Sequence, residues 1–203
     1  TGRRQLREMV PLAMPHEDLT LLPPDAATLP SRETVTVLSL DAPWEPGGIQ
    51  RYLSEMLAIF PRERVAWFCL THGSRMPAAY RGLALPRRPG KWNRSLSLAR
   101  LAWAASRALR QQPGGLLLCG HPRLLPLARR LARRYDQALL TFTYGLDVTF
   151  RALPRWLKRG LATTPHAVVI SRFMRDFLKE RGVPAEKLWL LPPGVSWPPP
   201  PEE

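Results

Sequence analysis

The chain alternates between short runs of apolar residues and longer segments in which apolar residues recur every three or four positions. The apolar runs predict strands near 34–40, 65–70, 82–85, 116–119, 138–143, 166–170 and 187–191. The segments between them predict helices over about 48–60, 94–112, 123–135, 148–162 and 171–180. Continuous apolar strands that alternate with amphipathic helices are typical of a parallel sheet covered on both faces. We therefore predict an α/β fold, a single Rossmann-like, doubly wound domain over 34–192.

The two ends of the chain are predicted to lie outside this domain. Five prolines interrupt any helix in residues 1–33 after the first ten positions, and we interpret this segment as a loosely structured N-terminal arm. Four consecutive prolines stiffen residues 193–203, as in a linker. Inside the domain, Ser171 suits a helix N-cap and Gly182 suits a helix C-cap.

Composition indicates a globular protein with one good core. The 203 residues are 45% hydrophobic, and no stretch approaches the roughly 18 uninterrupted apolar residues of a membrane span. The first ten residues lack the apolar core of a signal peptide, so we expect a cytoplasmic protein or a piece cut from a longer one. Cys69 and Cys119 stand inside apolar runs and are expected to be buried, reduced thiols.

The charge balance favours contact with polyanions. The chain has 30 Lys and Arg residues against 16 Asp and Glu residues, a net charge of +14. Such a surplus should attract nucleic acid or an anionic membrane surface. A GC-rich genome is an alternative source of the many arginines, and composition alone does not decide among these explanations.

A basic segment with a tryptophan leads into the long predicted helix. Cationic side chains beside an interfacial Trp suit the surface of an anionic membrane. The candidate membrane-contact residues are Arg87, Arg88, Lys91, Trp92 and Arg94. The helix has a predicted outer face with Arg100, Trp103, Arg107 and Arg110, and an apolar face with Leu98, Leu101, Ala105 and Leu109. A second basic face is predicted at Arg129, Arg130, Arg133 and Arg134. The competing interpretation is a solvated, Arg-rich surface without a partner.

The loops at the carboxyl ends of the strands hold the candidate site, because ligands of an open parallel sheet bind there. Gly47 and Gly48 follow the first strand and open a helix, where an anion can approach the backbone and the unpaired N–H groups. A tight turn is the alternative explanation. His72 and His121 follow two other strands. Together with the two cysteines they lack the spacing of a zinc site, and we expect no metal.

Three stretches match motifs of a known family, in order and at plausible spacing. The first is "EPGGIQRYLSEM" from Glu45, which is similar to a GG-x-x-R-Y opening. The second is "TFTYGLDV" from Thr141, which is similar to a T-H-G-x-D/E loop. The third is "HAVVISRFMRDFLKERGVPAEKLWLLPPGV" from His166. Together they resemble the N-terminal domain of a GT-B-fold glycosyltransferase of family 4, from about position 35 to position 195.

The resemblance implies the function and the residues that carry it. It implies a retaining transfer of a sugar from a nucleotide-sugar donor to an acceptor, without a metal or another cofactor. The residues that it places near donor or acceptor are Gly47, Gly48, Gln50, Arg51 and Gly145, and His121 joins these candidates through its place in the loop after a strand. The catalytic candidates that it implies are Tyr144 and Asp147, beside the transferred sugar.

The chain also departs from the family pattern. Tyr144 stands where the family has His, and a phenol has a reference pKa of about 10. The C-terminal domain that grips the nucleotide sugar in the family is missing from the 203 residues, so the fragment alone is expected to be inactive. The basic helix suggests a lipid-linked acceptor, reached from the inner face of the cell membrane. The alternatives are a nucleic-acid-binding module, which lacks a stacking platform and is not expected, and a non-catalytic interaction domain.

Overall fold

The computed structural model describes residues 34–87, 90–145 and 154–193, apart from the side chains at positions 91, 92 and 94. In this part of the chain the strands are β1 Val35–Ser39, β2 Val65–Thr71, β3 Arg81–Pro86, β4 Leu116–Cys119, β5 Ala138–Thr143, β6 His166–Val169 and β7 Leu188–Leu190. The α-helices are α1 Gly48–Leu57, α2 Lys91–Arg110, α3 Leu125–Arg134, α4 Arg155–Thr163 and α5 Arg172–Glu180. The order of strands and helices is the predicted one.

The strands form one parallel sheet in the order β3-β2-β1-β4-β5-β6-β7. In the register of β1, an interior strand of the sheet, Val35 lies opposite Val65 on one side and Leu116 on the other. The chain proceeds in one direction from β1 to β3 and in the opposite direction from β4 to β7. The strand order therefore reverses between β1 and β4, and the prediction of a doubly wound, Rossmann-like domain is confirmed.

Two apolar cores cover the two faces of the sheet. On one face α1 packs through Tyr52 and Leu53 against Val37 and Phe142, which are buried. On the other face α2, α3, α4 and α5 contribute to a larger core. Burial on α2 follows the predicted faces, since Leu101, Ala105 and Leu109 are buried while Arg100, Trp103, Arg107 and Arg110 are exposed.

Helix ends follow the local chemistry of the sequence. Ser171 Oγ accepts a hydrogen bond from the Met174 N–H at 3.2 Å, so the predicted N-cap is confirmed. Gly182 has a φ of 79° and donates to Lys179 O, as a helix C-terminal glycine does. The helix predicted from position 48 to 60 ends earlier, at Leu57, because Pro61 disfavours helical geometry in the residue before it. The helix predicted over 148–162 corresponds to α4, which follows Pro154, and positions 148–153 lie outside the described residues.

The cysteines are structural. Cys69 and Cys119 are both buried and neither forms a disulfide. Burial raises the pKa of each thiol to about 12, so both stay protonated and unreactive at neutral pH. None of the described helices is both long enough and apolar enough to cross a membrane.

Candidate functional site

The end of β4 lies close to β1 at the carboxyl edge of the sheet. The Gly120 N–H, just after β4, donates to Leu38 O at 2.7 Å. A Cβ at Gly120 would lie 3.2 Å from that same oxygen and 3.1 Å from Leu53 Cδ1. Glycine is therefore the residue that lets the end of β4 pack this tightly against β1 and α1. The next residue, His121, consequently stands at the point where the strand order reverses, which is where open α/β sheets bind ligands.

The glycine pair forms the start of α1 and one wall of an open cleft. Gly47 is the N-cap and Gly48 the first helical residue. A Cβ at Gly48 would meet nothing within 4 Å, whereas a Cβ at Gly47 would overlap the Gln50 side-chain amide. The cleft has a volume of about 620 Å³ and extends past Trp44 to Tyr80. A side chain at Gly47 would require the Gln50 side chain to move, whereas the space at Gly48 is open to a ligand.

A carboxylate ties the loop after β1 to the loop after β2. Glu45 Oε1 accepts hydrogen bonds from the His72 N–H at 2.7 Å and from Ser74 Oγ at 2.6 Å. Trp44 Nε1 also donates to Ser74 Oγ, at 3.0 Å. Burial alone would raise the pKa of Glu45, but the hydrogen bonds from Ser74 and His72 outweigh it and lower the pKa. Glu45 therefore remains ionised and holds the wall of the cleft in place.

Arg87, after β3, joins the same group of polar side chains. Its Nη1 lies 3.3 Å from Asp41 Oδ1 and 3.1 Å from His72 Nε2. A guanidinium has no acceptor atom, so His72 accepts through Nε2. We call this group the carboxyl-edge cluster, and its members are Asp41, Glu45, His72, Ser74 and Arg87. It brings residues from the ends of three neighbouring strands into contact.

His121 is held as a neutral ring. Its Nδ1 accepts a hydrogen bond from the Arg123 N–H at 3.1 Å. Burial lowers the pKa of His121 to about 4, and the positive charges of Arg123 and Arg87 act in the same direction. At neutral pH the proton is therefore on Nε2, and the ring can donate one hydrogen bond but carries no charge.

The other residues predicted to lie near donor, acceptor or transferred sugar differ in exposure and in their contacts. Arg51 is turned along α1, where its Nε contacts Glu55 Oε1 at 2.7 Å and its side chain is 71% exposed. The Gln50 amide lies beside Gly47. Gly145 has a φ of 116°, which a side chain would strain. The Tyr144 ring packs into the α1-side core, 6.0 Å from the Tyr52 ring centroid.

Several predicted residues fall outside what the structure describes. Asp147 and Arg88 lie beyond the described residues. For Lys91, Trp92 and Arg94 the structure describes the backbone alone, in the first turn of α2. Their proposed roles stay predictions. In the described part of the chain, no group of three His, Cys, Asp or Glu residues is arranged to hold a metal ion.

The sequence pattern does not predict Asp41, Glu45 and Ser74 as members of the site, and it places His72 in a loop after a strand without assigning it a role. A signal was present, because Asp41 and His72 follow closely on β1 and β2 and Arg87 follows β3 directly. Parallel strands place such residues at one edge of the sheet. Their pairing depends on which strands are neighbours, and the alternation pattern does not specify that order.

Solved structures share this architecture. HepE from Anabaena in complex with UDP-glucose matches with a TM-score of 0.58 at 11% identity, over 80% of this chain and 44% of that one. The lipopolysaccharide outer core galactosyltransferase WaaB matches with a TM-score of 0.53 at 13% identity, over 76% of this chain and 44% of that one. UGT89C1 from Arabidopsis thaliana, complexed with UDP, matches with a TM-score of 0.54 at 15% identity, over 83% of this chain and 54% of that one. The fold is thus a Rossmann-like domain of the GT-B type, and the chain spans less than half the length of HepE or WaaB.

The family follows from the sequence match. The model of Glycosyltransferase Family 4 matches residues 46–196, most of the chain. The chain belongs to this family, so the expected resemblance is confirmed. No curated protein sequence matches the chain.

Proposed function

We propose that the chain is the N-terminal, acceptor-side domain of a retaining glycosyltransferase that takes its sugar from a nucleotide-sugar donor. The observation that carries the proposal is the Family 4 match, which begins at Pro46 and so includes the open turn at Gly48. The binding of UDP-glucose by HepE and of UDP by UGT89C1 supports a nucleotide sugar as the donor.

The cleft has the features that such a reaction uses. The N-terminus of α1 presents backbone N–H groups and the positive end of a helix dipole, which suit the donor diphosphate. The bare backbone at Gly48 lets that group approach closely. At the point where the strand order reverses, between β1 and β4, neutral His121 can donate a hydrogen bond to an acceptor hydroxyl without adding charge. Protein groups of this kind stabilise the leaving diphosphate in place of a metal, so no cofactor is proposed.

Replacing Gly48 in the full-length natural protein tests the proposal. Gly48→Leu fills space that is open in this structure, so folding should be unaffected while transfer from UDP-glucose or another nucleotide sugar falls at least about 100-fold, roughly 2.7 kcal/mol. Ala58→Leu, at the exposed end of the same helix, is the matched control and should keep its activity. Full transfer by Gly48→Leu would contradict a donor or acceptor at this turn.

The isolated 203-residue chain should bind donor weakly and transfer nothing, because it supplies one side of the cleft. Titration calorimetry with UDP-glucose compares this chain with the full-length protein. The continuing reading frame should encode a second Rossmann-like domain with a basic pair and two glutamates eight positions apart. Transfer by the isolated chain at the rate of the full-length protein would contradict the division of labour.

We further propose a lipid-linked acceptor, reached from the inner face of the cell membrane. The support is the outer face of α2, where Arg100 and Arg107 flank Trp103, whose side chain is 67% exposed. Near an anionic leaflet each well-placed cation contributes roughly 1 kcal/mol, attenuated beyond about 8 Å. Reversible docking therefore needs only a few such residues together with the basic segment before α2.

Flotation with phosphatidylglycerol vesicles tests the membrane contact. Binding should need anionic lipid, weaken with salt and drop when Arg100, Trp103 and Arg107 are all changed to Ser. The matched control changes Arg62, Arg75 and Ile59 to Ser, which removes the same charge and an equally exposed apolar residue elsewhere. Equal flotation with phosphatidylcholine vesicles, or an equal loss in the control, would remove the membrane claim and favour a soluble acceptor.

A non-catalytic interaction domain is the second candidate. The packing of the Tyr144 ring against the Tyr52 and Phe142 rings favours it, because this arrangement uses the family's His position for the core. Under this alternative the full-length protein would neither turn over nor hydrolyse any nucleotide sugar. Its Tyr144→His variant would show no gain in turnover, since other parts of the reaction machinery would also be lost.

A further inference from the structure

The basic charge of the chain is concentrated on three packed helices. Five Lys or Arg residues lie on α2, four on α3 and three on α4, and these helices contain no Asp or Glu. The helices are neighbours, since α3 contacts both α2 and α4. The ion pairs of the described residues all lie elsewhere, on α1, at the carboxyl-edge cluster and around α5. This layer therefore has positive charge that no carboxylate on the same helices neutralises.

A groove between α3 and α4 gathers part of this charge. Its volume is about 530 Å³. Arg129 and Arg133 line one wall, one helical turn apart, and Arg159 lines the other. A Cβ at Gly160 would lie 3.0 Å from Leu125 Cδ2, so the missing side chain lets the two helices pack closely at the floor. Trp156, whose side chain is 49% exposed, stands at the groove as an apolar contact.

The arginines in this groove act on one another electrostatically. Burial lowers the pKa of Arg129, and the positive charges of Arg133 and Arg159 lower it further. Arg129 is half-buried, Arg133 and Arg159 are exposed, and like charges that face one groove repel one another until an anion arrives. The planar guanidinium fork matches the oxygen atoms of a phosphate and forms paired, charge-assisted hydrogen bonds with them. Three such forks suit a group with several oxygens and more than one negative charge.

We propose that the groove between α3 and α4 is a binding site for a phosphate-bearing ligand, held by Arg129, Arg133 and Arg159. Trp156 would cover the part of the ligand next to the phosphate. The groove is lined by residues of the helices on one face of the sheet, whereas the proposed donor cleft is lined by loops at the carboxyl ends of β1 and β2. The inference does not depend on the proposed transferase activity.

Inorganic pyrophosphate is the probe for a free phosphate ligand. Titration calorimetry at low salt compares the wild-type chain with a variant in which Arg129, Arg133 and Arg159 are changed to Gln. We expect saturable binding that weakens at least about tenfold in this variant. The control changes Arg62, Arg75 and Arg172 to Gln, which removes the same charge outside the groove and away from the outer face of α2. It should bind within about twofold of wild type, apart from the screened long-range attraction.

Phosphatidylglycerol vesicles are the second arm and present the same chemistry as a lipid headgroup. Loss of vesicle binding in the groove variant, with the control intact, supports the site and assigns the phosphate to a lipid. Loss of pyrophosphate binding in the groove variant supports the site and assigns a soluble ligand. An equal loss in groove variant and control, or no loss in either arm, overturns the proposal. Circular dichroism and thermal unfolding check that both variants are folded, and neither change removes a buried apolar group.

Discussion

Charged side chains at the carboxyl edge of the sheet meet an opposite charge or neutral hydrogen-bond donors, whereas the arginines in the groove between α3 and α4 face one another. At the edge, Arg87 contacts Asp41 and Glu45 accepts two hydrogen bonds. In the groove, Arg129 is repelled by Arg133 and Arg159. Charge at the edge therefore fixes the geometry of loops, and charge in the groove attracts anions from solution at some cost to the fold.

The difference shows why a net charge of +14 is a poor guide to the site. The basic residues that make up most of the surplus lie on helices whose inner faces cover the sheet. The carboxyl-edge cluster beside the cleft instead pairs two carboxylates, Asp41 and Glu45, with one arginine and with neutral hydrogen-bond donors, and these contacts hold the loops in place. The following changes test this contrast, in order of decreasing effect on stability.

Packing at the strand reversal should be the most sensitive feature of the edge. Gly120→Val pushes side-chain atoms against Leu38 O and Leu53 and should lower the free energy of unfolding by about 1–3 kcal/mol. Gly48→Ala meets no atom within 4 Å and should leave stability unchanged or raise it by up to about 1 kcal/mol. Urea unfolding measures both. A tolerated Val at position 120 would show that β4 has room to move away from β1.

The Glu45 hydrogen bonds should rank second. Glu45→Ala leaves the His72 N–H and Ser74 hydroxyl without their carboxylate and should cost about 1–3 kcal/mol. Glu55→Ala removes the exposed pair with Arg51 and should cost less than about 0.5 kcal/mol. Chemical denaturation at pH 7 compares them. Equal losses would mean that the Glu45 hydrogen bonds stabilise the fold no more than an exposed ion pair does.

Acid should destabilise the edge through His121. Its pKa of about 4 in the folded protein lies below the ordinary 6.5, so between these values the unfolded chain binds a proton that the folded one does not. Stability attributable to this ring is therefore complete above about pH 6.5 and decreases as the pH falls toward 4, by at most about 1.4 kcal/mol per pH unit.

The His121→Asn variant isolates that contribution. Its side-chain oxygen can accept the hydrogen bond from the Arg123 N–H in place of Nδ1, but it does not titrate. The dependence of unfolding free energy on pH between 4 and 6.5 should be shallower than in wild type. An unchanged slope would mean that other groups dominate in this range and that His121 is not held neutral.

Single arginines should show the smallest effects and opposite signs. Arg87→Gln loses the contact with Asp41 and should cost up to about 1 kcal/mol. Arg129→Gln relieves repulsion from two neighbours and should change stability by no more than about 0.5 kcal/mol, in the stabilising direction. Raising the salt concentration should shrink both effects. A clear loss of stability for Arg129→Gln would contradict the account of the groove as uncompensated charge.

Much of the fold was predictable from local pattern, and little of the site was. The order of strands and helices, the buried face of α2 and the Ser171 cap all agree with the prediction, because each depends on neighbours within a few positions. The glycine turn was also found, through its place between a strand and a helix. The contact between Arg87 and Asp41 was not, since 46 residues separate the two positions along the chain.

The sequence by itself determined a parallel α/β domain and, through its motifs, membership of Glycosyltransferase Family 4. Periodicity and caps arise from interactions between residues a few positions apart, so they can be identified from the sequence alone. The tertiary structure decided the strand order, and with it which loops share the cleft. It also decided that the Gly160 surface packs against Leu125 and draws three arginines around one groove. These are contacts between distant segments, and their distances are set by packing that no local pattern records.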